Sequence, residues 1–185
     1  ILVLGAAFDP PHLGHREMAR EVIARGIAKE VYLVPCKQHA FAKTMIPVTH
    51  RLSMTEMLSE DKISVNTLEL EREGVSYAYD TLQVIAQQTN KKVGWLIGSD
   101  LVATFAKWYR YREILQEFGV MVYPREGTDG VELLPGMQWV TRVERIAISS
   151  TKVRELIENG GAWENMVVPD VAAYIKQHQL YATTN

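Results

Sequence analysis

Two histidines, His12 and His15, flank a glycine in the stretch GAAFDPPHLGH, residues 5–15, and their spacing indicates chemistry on an anion. The two prolines before them stop a helix from beginning early, so the spacing predicts a helix that starts close to His12, with both imidazoles on one face of its first turn. The helix N-terminus and free backbone N–H groups would converge with the imidazoles on one point. The stretch therefore predicts an anion site.

Other interpretations of this histidine pair explain less of the pattern. Either histidine taken singly is more often a polar cap at a helix start. A metal pair more often uses the spacing i, i+4, and no nearby Asp or Glu is arranged as a third ligand, so no protein-bound metal is predicted. The stretch is neither a Walker loop nor GxGxxG, because no GK[ST] follows and the glycines do not fit.

A second polar segment, ISST, lies between an apolar run and a predicted helix. Ser149, Ser150 and Thr151 stand where hydroxyls and unpaired N–H groups cluster at a helix start. Lys152 and Arg154 follow, and arginine can bind phosphate oxygens with two hydrogen bonds. The alternative is an N-cap with solvated charges. Facing the histidine pair, the segment would complete a triphosphate site.

Apolar runs of strand length alternate with stretches of helical period along the chain. The predicted strands are 1–4, 31–35, 63–70, 93–98, 119–124, 137–143 and 144–148. The predicted helices are 15–27, 48–59, 77–88, 101–105, 111–118, 150–159 and 169–177. The stretch 125–136, with its glycines and a proline, is interpreted as an exposed loop.

Unbroken apolar strands separated by helices predict a doubly wound α/β fold, with a parallel sheet covered on both faces. No repeat or linker divides the chain, so residues 1–185 are expected to form a single domain. In such a sheet, ligands bind beyond the carboxyl ends of the strands where the strand order reverses. The histidine stretch begins at that end of the first strand.

The net charge and the composition limit the kinds of molecule that the protein is expected to bind. The formal net charge is −2 over 185 residues, which argues against long nucleic acid as a partner but is compatible with a local pocket for a small anion. Cys36 is the single cysteine, so no internal disulfide can form and a reducing cytoplasm is the expected location. No signal peptide is predicted, and no apolar run approaches the roughly 18 residues of a membrane-spanning helix.

Several motifs together resemble one family. HLGH matches the HxGH signature of the nucleotidyltransferase superfamily, and GAAFDPPHLGH resembles the GGxFDPxHxGH of nicotinate and nicotinamide mononucleotide adenylyltransferases. ISSTKVREL, residues 148–156, resembles that family's ISSTxIR, and SYAYDTL, residues 76–82, is similar to its SYTxxTL. IGSD, 97–100, and KWYRYREIL, 107–115, fall in the family's order and spacing. The resemblance covers nearly the whole chain and implies a Rossmann-like nucleotidyltransferase fold.

The activity implied by the resemblance is transfer of the adenylyl group of ATP to the phosphate of a pyridine mononucleotide, with release of pyrophosphate. The partners would be small-molecule nucleotides, with ATP as a substrate and Mg²⁺ carried by the nucleotide phosphates. The attacking phosphate has a second pKa near 6 and is largely dianionic at pH 7, so no general base is required. His12 and His15 would be the catalytic donors to phosphate oxygens, while Lys43, Lys152 and Arg154 neutralise further charge.

The resemblance also implies which residues bind each nucleotide. The ATP-binding residues would be Gly5, Ala7, Phe8, Gly98, Asp100, Ser149, Ser150, Thr151 and Arg154. The acceptor-binding residues would be His39, Lys43, Tyr77, Ala78, Tyr79 and Trp108. Asp100 is expected to bind a ribose or to cap the helix that follows it. Trp108 is expected to stack on the pyridine ring.

The loop 36–47 departs most from the family, with CKQHAFAK in place of its PPHK segment. It is predicted to be a flap whose His39 and Lys43 close on the phosphates, the alternative being a solvated basic loop. SYAYDTL keeps the backbone frame with which the family binds a carboxylate, so the resemblance implies nicotinate rather than nicotinamide as the ring substituent.

Two other functions stay open at this point. One is a transferase of the same superfamily acting on another phosphorylated acceptor, such as phosphopantetheine or a cytidylyl-accepting alcohol phosphate. The other is a non-catalytic nucleotide sensor. The oligomeric state is open as well, a homo-oligomer included.

Overall fold

The computed structural model describes residues 1–38 and 45–182, and within them six strands form one parallel sheet in the order β3-β2-β1-β4-β5-β6. The strands are β1 (Leu2–Ala6), β2 (Val31–Pro35), β3 (Ile63–Val65), β4 (Gly94–Gly98), β5 (Val120–Tyr123) and β6 (Met137–Trp139). The helices are α1 (Leu13–Ala24), α2 (Val48–Glu56), α3 (Leu68–Glu71), α4 (Ala78–Thr89), α5 (Val102–Phe105), α6 (Tyr111–Glu113), α7 (Ser150–Glu158) and α8 (Pro169–Gln177). Short 3₁₀ turns at Ser99–Leu101 and Glu164–Met166 and a π-helical turn at Ile114–Phe118 complete the described elements.

The central strands are apolar throughout because each face of the sheet has its own core. Leu2 and Leu4 of β1 pack into one core, and Val3 between them packs into the other. The first core also receives Met18 of α1, and the second receives Leu82 of α4. This two-sided burial is what continuous apolar strands require. The predicted doubly wound α/β fold is confirmed.

The predicted strand 63–70 is wrong beyond its first three residues. β3 ends at Val65, and the Asn66 side-chain oxygen accepts a hydrogen bond of 3.0 Å from the Leu68 N–H. Such a local side-chain turn competes with the extended backbone. The chain therefore enters the short helix α3 and buries Glu69 on it.

The predicted strands 137–143 and 144–148 are largely wrong too. Only Met137–Trp139 pairs as a strand, at the edge of the sheet beside β5. Arg142 adopts a φ of 60°, which is left-handed and incompatible with an extended run. Ile146 makes a single isolated bridge to Arg125.

The strand order reverses between β1 and β4, since β1 has β2 on its other side. The carboxyl ends of these two strands, at Ala6 and Gly98, therefore form the crevice in which open α/β sheets bind ligands. None of the helices in the described part of the chain combines the length and the apolar character that crossing a membrane requires.

Candidate active site

Two cavities lie at the carboxyl ends of β1 and β4 and share a wall. The first, here the histidine cavity, has a volume of about 490 Å³ and is lined by Gly5, Ala6, Ala7, Phe8, His12, His15, Gly98, Asp100, Lys107, Trp108, Arg125, Ser149, Ser150 and Thr151, among others. The second, here the tryptophan cavity, has a volume of about 390 Å³ and is lined by Gly5, Ala6, Cys36, Glu69, Ser76, Tyr77, Ala78, Trp95, Lys107, Trp108 and Tyr109. All the residues that the sequence assigned to catalysis and to ATP, except Arg154, line the histidine cavity.

The histidine pair is stacked at the start of α1. His12 is the N-cap residue, and its ring lies 3.8 Å from the ring of His15, with 27° between the planes. The His12 backbone N–H donates to Nδ1 of His15 at 3.1 Å. Because that nitrogen accepts, a neutral His15 carries its proton on Nε2, which leaves the Nε2–H as a donor.

Both imidazoles are neutral in the free protein. Burial lowers the pKa of His12 well below its usual value, and His15 and Arg125 lower it further. Burial, followed by the charge of Arg125, lowers the pKa of His15 to about 3. At pH 7 the pair therefore meets a phosphate as N–H donors rather than as cations.

Gly14 makes room for this arrangement. A Cβ at position 14 would lie 2.7 Å from a methyl group of Ile146 and 2.9 Å from Nδ1 of His12. The His12 ring and the Ile146 side chain thus occupy the space that a side chain at position 14 would need. That Nδ1 is buried without a hydrogen-bond partner among the described residues, which is uncommon outside functional sites.

Arg125 is a functional candidate that sequence reasoning missed. It follows β5, lines the histidine cavity and places Nε 3.3 Å from a carboxylate oxygen of Asp100. It also donates to the Ile148 carbonyl. The loop composition of 125–136 indicated exposure, yet the Arg125 side chain is only 14% exposed. The available signal was its position, directly beyond the carboxyl end of a parallel strand.

Asp100 lies in the histidine cavity and does not cap a helix. It falls inside the 3₁₀ turn Ser99–Leu101, whose N-cap residue is Gly98 with no side-chain cap bond. A Cβ on Gly98 would collide with both side chains of the Asp100–Arg125 pair. The cavity therefore keeps the carboxylate half-exposed at its wall, where it could accept from a ribose hydroxyl.

The ISST segment combines capping with cavity lining. Ser149 is the N-cap of α7 and accepts from the Lys152 N–H at 3.2 Å, while Ser150 donates to the Pro10 carbonyl at 2.9 Å. Arg154 lies behind this surface and donates to the Asp9 carbonyl and, at 3.4 Å, to the hydroxyl of Thr151. The structure thus places Arg154 against the loop before the histidines, outside the described lining of the cavity.

The same loop is held from two further directions, neither of which the sequence revealed. The Tyr181 hydroxyl donates to the buried Asp9 carboxylate at 2.8 Å, and burial followed by that carboxylate raises the pKa of Tyr181, so it remains a donor. Arg51, 1% exposed, donates to the carbonyls of Ala7 at 2.6 Å and Cys36 at 2.8 Å. The loop is therefore fixed before any ligand binds.

The tryptophan cavity is walled by aromatic rings. Trp108 packs on Phe105 at 4.9 Å and meets Trp95 edge-on at 6.3 Å. The indole N–H groups of both tryptophans are buried and unpaired within residues 1–38 and 45–182. Exposed rings of Tyr77 and Tyr109 stand 4.8 Å apart at its border. A flat heteroaromatic ring fits such walls.

Glu69 is the one carboxylate in the described lining of the tryptophan cavity. It is 4% exposed and accepts from the Thr81 hydroxyl at 2.6 Å, and burial raises its pKa. Sequence reasoning missed it because the segment was interpreted as a strand. Cys36, also in this lining, has its pKa raised to about 11 by burial, so it stays a thiol at neutral pH.

Some of the predicted acceptor-binding residues line the tryptophan cavity and others do not. Tyr77, Ala78 and Trp108 line the tryptophan cavity. Tyr79 does not appear in the described lining, and its hydroxyl donates to Glu117 at 3.1 Å. His39 and Lys43 lie outside the described residues, so the predicted closure of the loop 36–47 stays a prediction.

The described residues offer little of their own to a metal ion. No group of three His, Cys, Asp or Glu side chains within 1–38 and 45–182 is placed to hold one. The Asp100 carboxylate, the single acid in the described lining of the histidine cavity, already meets Arg125. This donor set suits a cation that arrives with phosphate oxygens as most of its ligands.

The sequence is similar to known proteins over most of its length. Residues 3–156 match the family model described as cytidylyltransferase-like. A protein of Oceanobacillus iheyensis named "Probable nicotinate-nucleotide adenylyltransferase" is 34% identical over 184 residues, which cover 97% of this chain and 95% of that protein.

Solved structures share the fold. Plasmodium falciparum nicotinic acid mononucleotide adenylyltransferase complexed with NaAD superposes with a TM-score of 0.83 at 19% identity, over 97% of this chain and 96% of that one. The same enzyme complexed with APC gives a TM-score of 0.79 at 18% identity and the same coverage.

Proposed function

Because the chain belongs to the cytidylyltransferase-like family and, within it, to the nicotinate and nicotinamide mononucleotide adenylyltransferases, we propose that it transfers the adenylyl group of ATP to the phosphate of nicotinate mononucleotide, releasing pyrophosphate. The observation that carries this proposal is the pair of cavities with one common wall. One presents neutral imidazole donors and an arginine, as phosphates require, and the other presents aromatic walls, as a pyridine ring requires.

The reaction needs two anions to meet. An oxygen of the acceptor phosphate attacks the α-phosphorus of ATP, the bond from that phosphorus to the bridging oxygen breaks, and the electron pair leaves with pyrophosphate. The attacking phosphate is already largely dianionic at pH 7, so no side chain has to remove a proton. The protein's contribution is positioning and stabilisation of the charge on the non-bridging oxygens.

His12 and His15 supply that stabilisation. Their neutral N–H groups are held by stacking and by the His12 N–H bond, so they need no reorganisation when charge develops. Arg125, in the lining of the same cavity, adds a positive charge to the hydrogen bonds from the neutral imidazoles. Mg²⁺ carried by the triphosphate would neutralise further charge. Asp100 is the carboxylate in the described lining of the cavity that could contact this ion.

The ring substituent is assigned to nicotinate. Tyr77 and Ala78 are the N-cap and first residues of α4, whose leading N–H groups have no partner within the helix and suit a carboxylate. The relative from O. iheyensis is named for nicotinate-nucleotide, and the P. falciparum enzyme was solved with NaAD. His39 and Lys43 are proposed to bind the phosphates from the loop 36–47.

ATP as the adenylyl donor rests on two supports. The histidine cavity is lined by residues of two segments that resemble the family's motifs, HLGH and ISST, and the P. falciparum enzyme was solved with APC, an analogue of ATP. The description of the family model also covers cytidylyl transfer, which makes CTP the necessary comparison.

The test is acceptor-dependent pyrophosphate release by the purified chain. ATP or CTP is combined with nicotinate mononucleotide, nicotinamide mononucleotide or phosphopantetheine, and kcat/KM is measured for each pair. We expect the highest value for ATP with nicotinate mononucleotide. A higher value for nicotinamide mononucleotide would contradict the ring assignment. ATP binding without turnover on any acceptor would favour the nucleotide sensor.

A further inference from the structure

Within the described residues, the wall between the two cavities contains one charged side chain. Gly5, Ala6, Lys107 and Trp108 line both cavities, and Lys107 alone among these four carries a charge. The wall matters because the new bond joins a phosphate from one nucleotide to a phosphate of the other. If each nucleotide occupies one cavity, the reacting atoms meet beside this wall.

The backbone that carries Lys107 is fixed. Its N–H donates to the Thr104 carbonyl at 2.9 Å, and the next N–H, of Trp108, donates to the Phe105 carbonyl at 2.9 Å. The Trp108 ring then packs on Phe105. The lysine stem therefore leaves a defined point, while its exposed four-carbon chain allows the ammonium to follow a phosphate across the wall.

Lys107 also differs from the neighbouring arginines because its ammonium group has no partner among the described residues. Arg125 lies against the Asp100 carboxylate, and Arg154 and Arg51 donate to backbone carbonyls. Within residues 1–38 and 45–182, Lys107 forms no ion pair and no side-chain hydrogen bond. A cation without a partner at the meeting point of two anions has its electrostatic partner in the substrates.

We propose that the Lys107 ammonium is a catalytic residue that contacts the phosphates of both nucleotides and stabilises the charge that accumulates as the new bond forms. This assignment rests on the proposed function. Lys107 keeps its proton throughout: the acceptor oxygen bonds to the α-phosphorus, the bond to the bridging oxygen breaks, and the electron pair leaves on pyrophosphate.

The experiment compares Lys107→Met, Lys107→Arg and Lys92→Met in the pyrophosphate release assay with ATP and nicotinate mononucleotide. Lys92 is an exposed lysine just before the amino end of β4, whereas the two cavities lie at the carboxyl ends of the strands, so its substitution makes the same change of charge away from the site. We expect Lys107→Met to lower kcat by roughly 10²-fold, Lys107→Arg to recover part of that loss, and Lys92→Met to match the wild type.

The division between kcat and KM decides the role. A rise in KM for both nucleotides with unchanged kcat would mean that Lys107 attracts anions without acting on the transition state, and would overturn the proposal. Partial unfolding of a variant would also lower its apparent kcat. Each variant is therefore assayed well below its measured melting temperature. If the wild type binds ATP but turns over no acceptor, the proposed function fails together with this role. If the wild type turns over and Lys107→Met retains its kcat, only the role of Lys107 fails.

Discussion

The histidine cavity and the tryptophan cavity share a wall, yet they are built in different ways. The histidine cavity takes its polar groups from loops held by hydrogen bonds from other parts of the fold, such as the partly buried bonds of Arg51 and Tyr181 to the loop before His12. The tryptophan cavity takes its shape from rings packed on one another, and its border tyrosines are exposed. Fixed donors suit developing charge, and packed rings suit recognition of a flat group. We therefore expect changes in the first cavity to act on turnover and changes in the second to act on choice of acceptor.

The largest effect is expected for His15→Ala, with His12→Ala similar or smaller. Removing a fixed donor that acts mainly on transition-state charge costs about 10² to 10³ in kcat, whereas ATP affinity should change little. Steady-state kinetics combined with calorimetric ATP titration separate the two quantities. His178→Ala, at an exposed histidine after α8, is the control. Wild-type turnover in either variant would remove that histidine from the mechanism.

A loss of stability in acid is the second expected effect. The folded-state pKa of His15 is about 3, below the usual value of 6.5, so the unfolded chain binds more protons at every pH below 6.5. Stability is therefore complete above pH 6.5 and falls as the pH falls towards 3, with His15 alone contributing roughly 2 kcal/mol of loss between pH 7 and pH 5. Urea unfolding of the wild type and His15→Gln at both pH values measures this. An equally steep loss in the variant would contradict it.

Arg125→Met tests whether charge in the histidine cavity is coupled to the imidazoles. Because Arg125 lowers the pKa of both histidines, we expect those pKa values to rise, and ATP to bind about tenfold more weakly. Proton NMR titration of the histidine rings and ATP titration give the two readouts. Arg125→Lys should fall between, since lysine cannot reach both Asp100 and the Ile148 carbonyl with a planar fork. Unchanged histidine titration in Arg125→Met would show that the coupling is absent.

The two cavities also differ in how many of their lining residues could be predicted from the sequence. The histidine cavity was predictable because its parts are local: His12 and His15 lie three residues apart at a helix start, and Gly98 ends an apolar strand. Helix and strand periodicity fix such positions directly. Arg125 was not predicted as a site residue because its partner Asp100 follows a different strand. The composition of a loop does not show which of its side chains points into a cavity.

The tryptophan cavity was harder to predict because its members meet only through tertiary packing. Trp95 lies in an apolar strand, but its place beside Gly5, where a Cβ would lie 2.5 Å from the indole, depends on how β1 and β4 pair. Glu69 was missed because the alternation of apolar and polar residues in 63–70 matches a strand. The hydrogen bond that its carboxylate accepts from Thr81 comes from another helix, α4. Alternation alone cannot distinguish a strand from a turn followed by a short helix.

The smallest effect is expected at Glu69, and it concerns acceptor choice. The Glu69 carboxylate is buried in the tryptophan cavity and bonded to Thr81 in the first turns of α4, the helix whose N-terminus is proposed to receive the nicotinate carboxylate. Two carboxylates near one helix end oppose each other, whereas a neutral carboxamide is unaffected. Glu69→Gln keeps the acceptor oxygen for Thr81 and removes the charge.

We therefore expect Glu69→Gln to raise the ratio of kcat/KM for nicotinate over nicotinamide mononucleotide by about threefold, with the KM for ATP unchanged. Glu71→Gln makes the same substitution on the exposed side of α3, where the carboxylate accepts from Thr67, and should leave the ratio at its wild-type value. A loss of helix positioning alone would weaken both acceptors together, because both place a ring between the same walls. An unchanged ratio in Glu69→Gln would therefore show that the buried carboxylate supports α4 without taking part in the choice of acceptor.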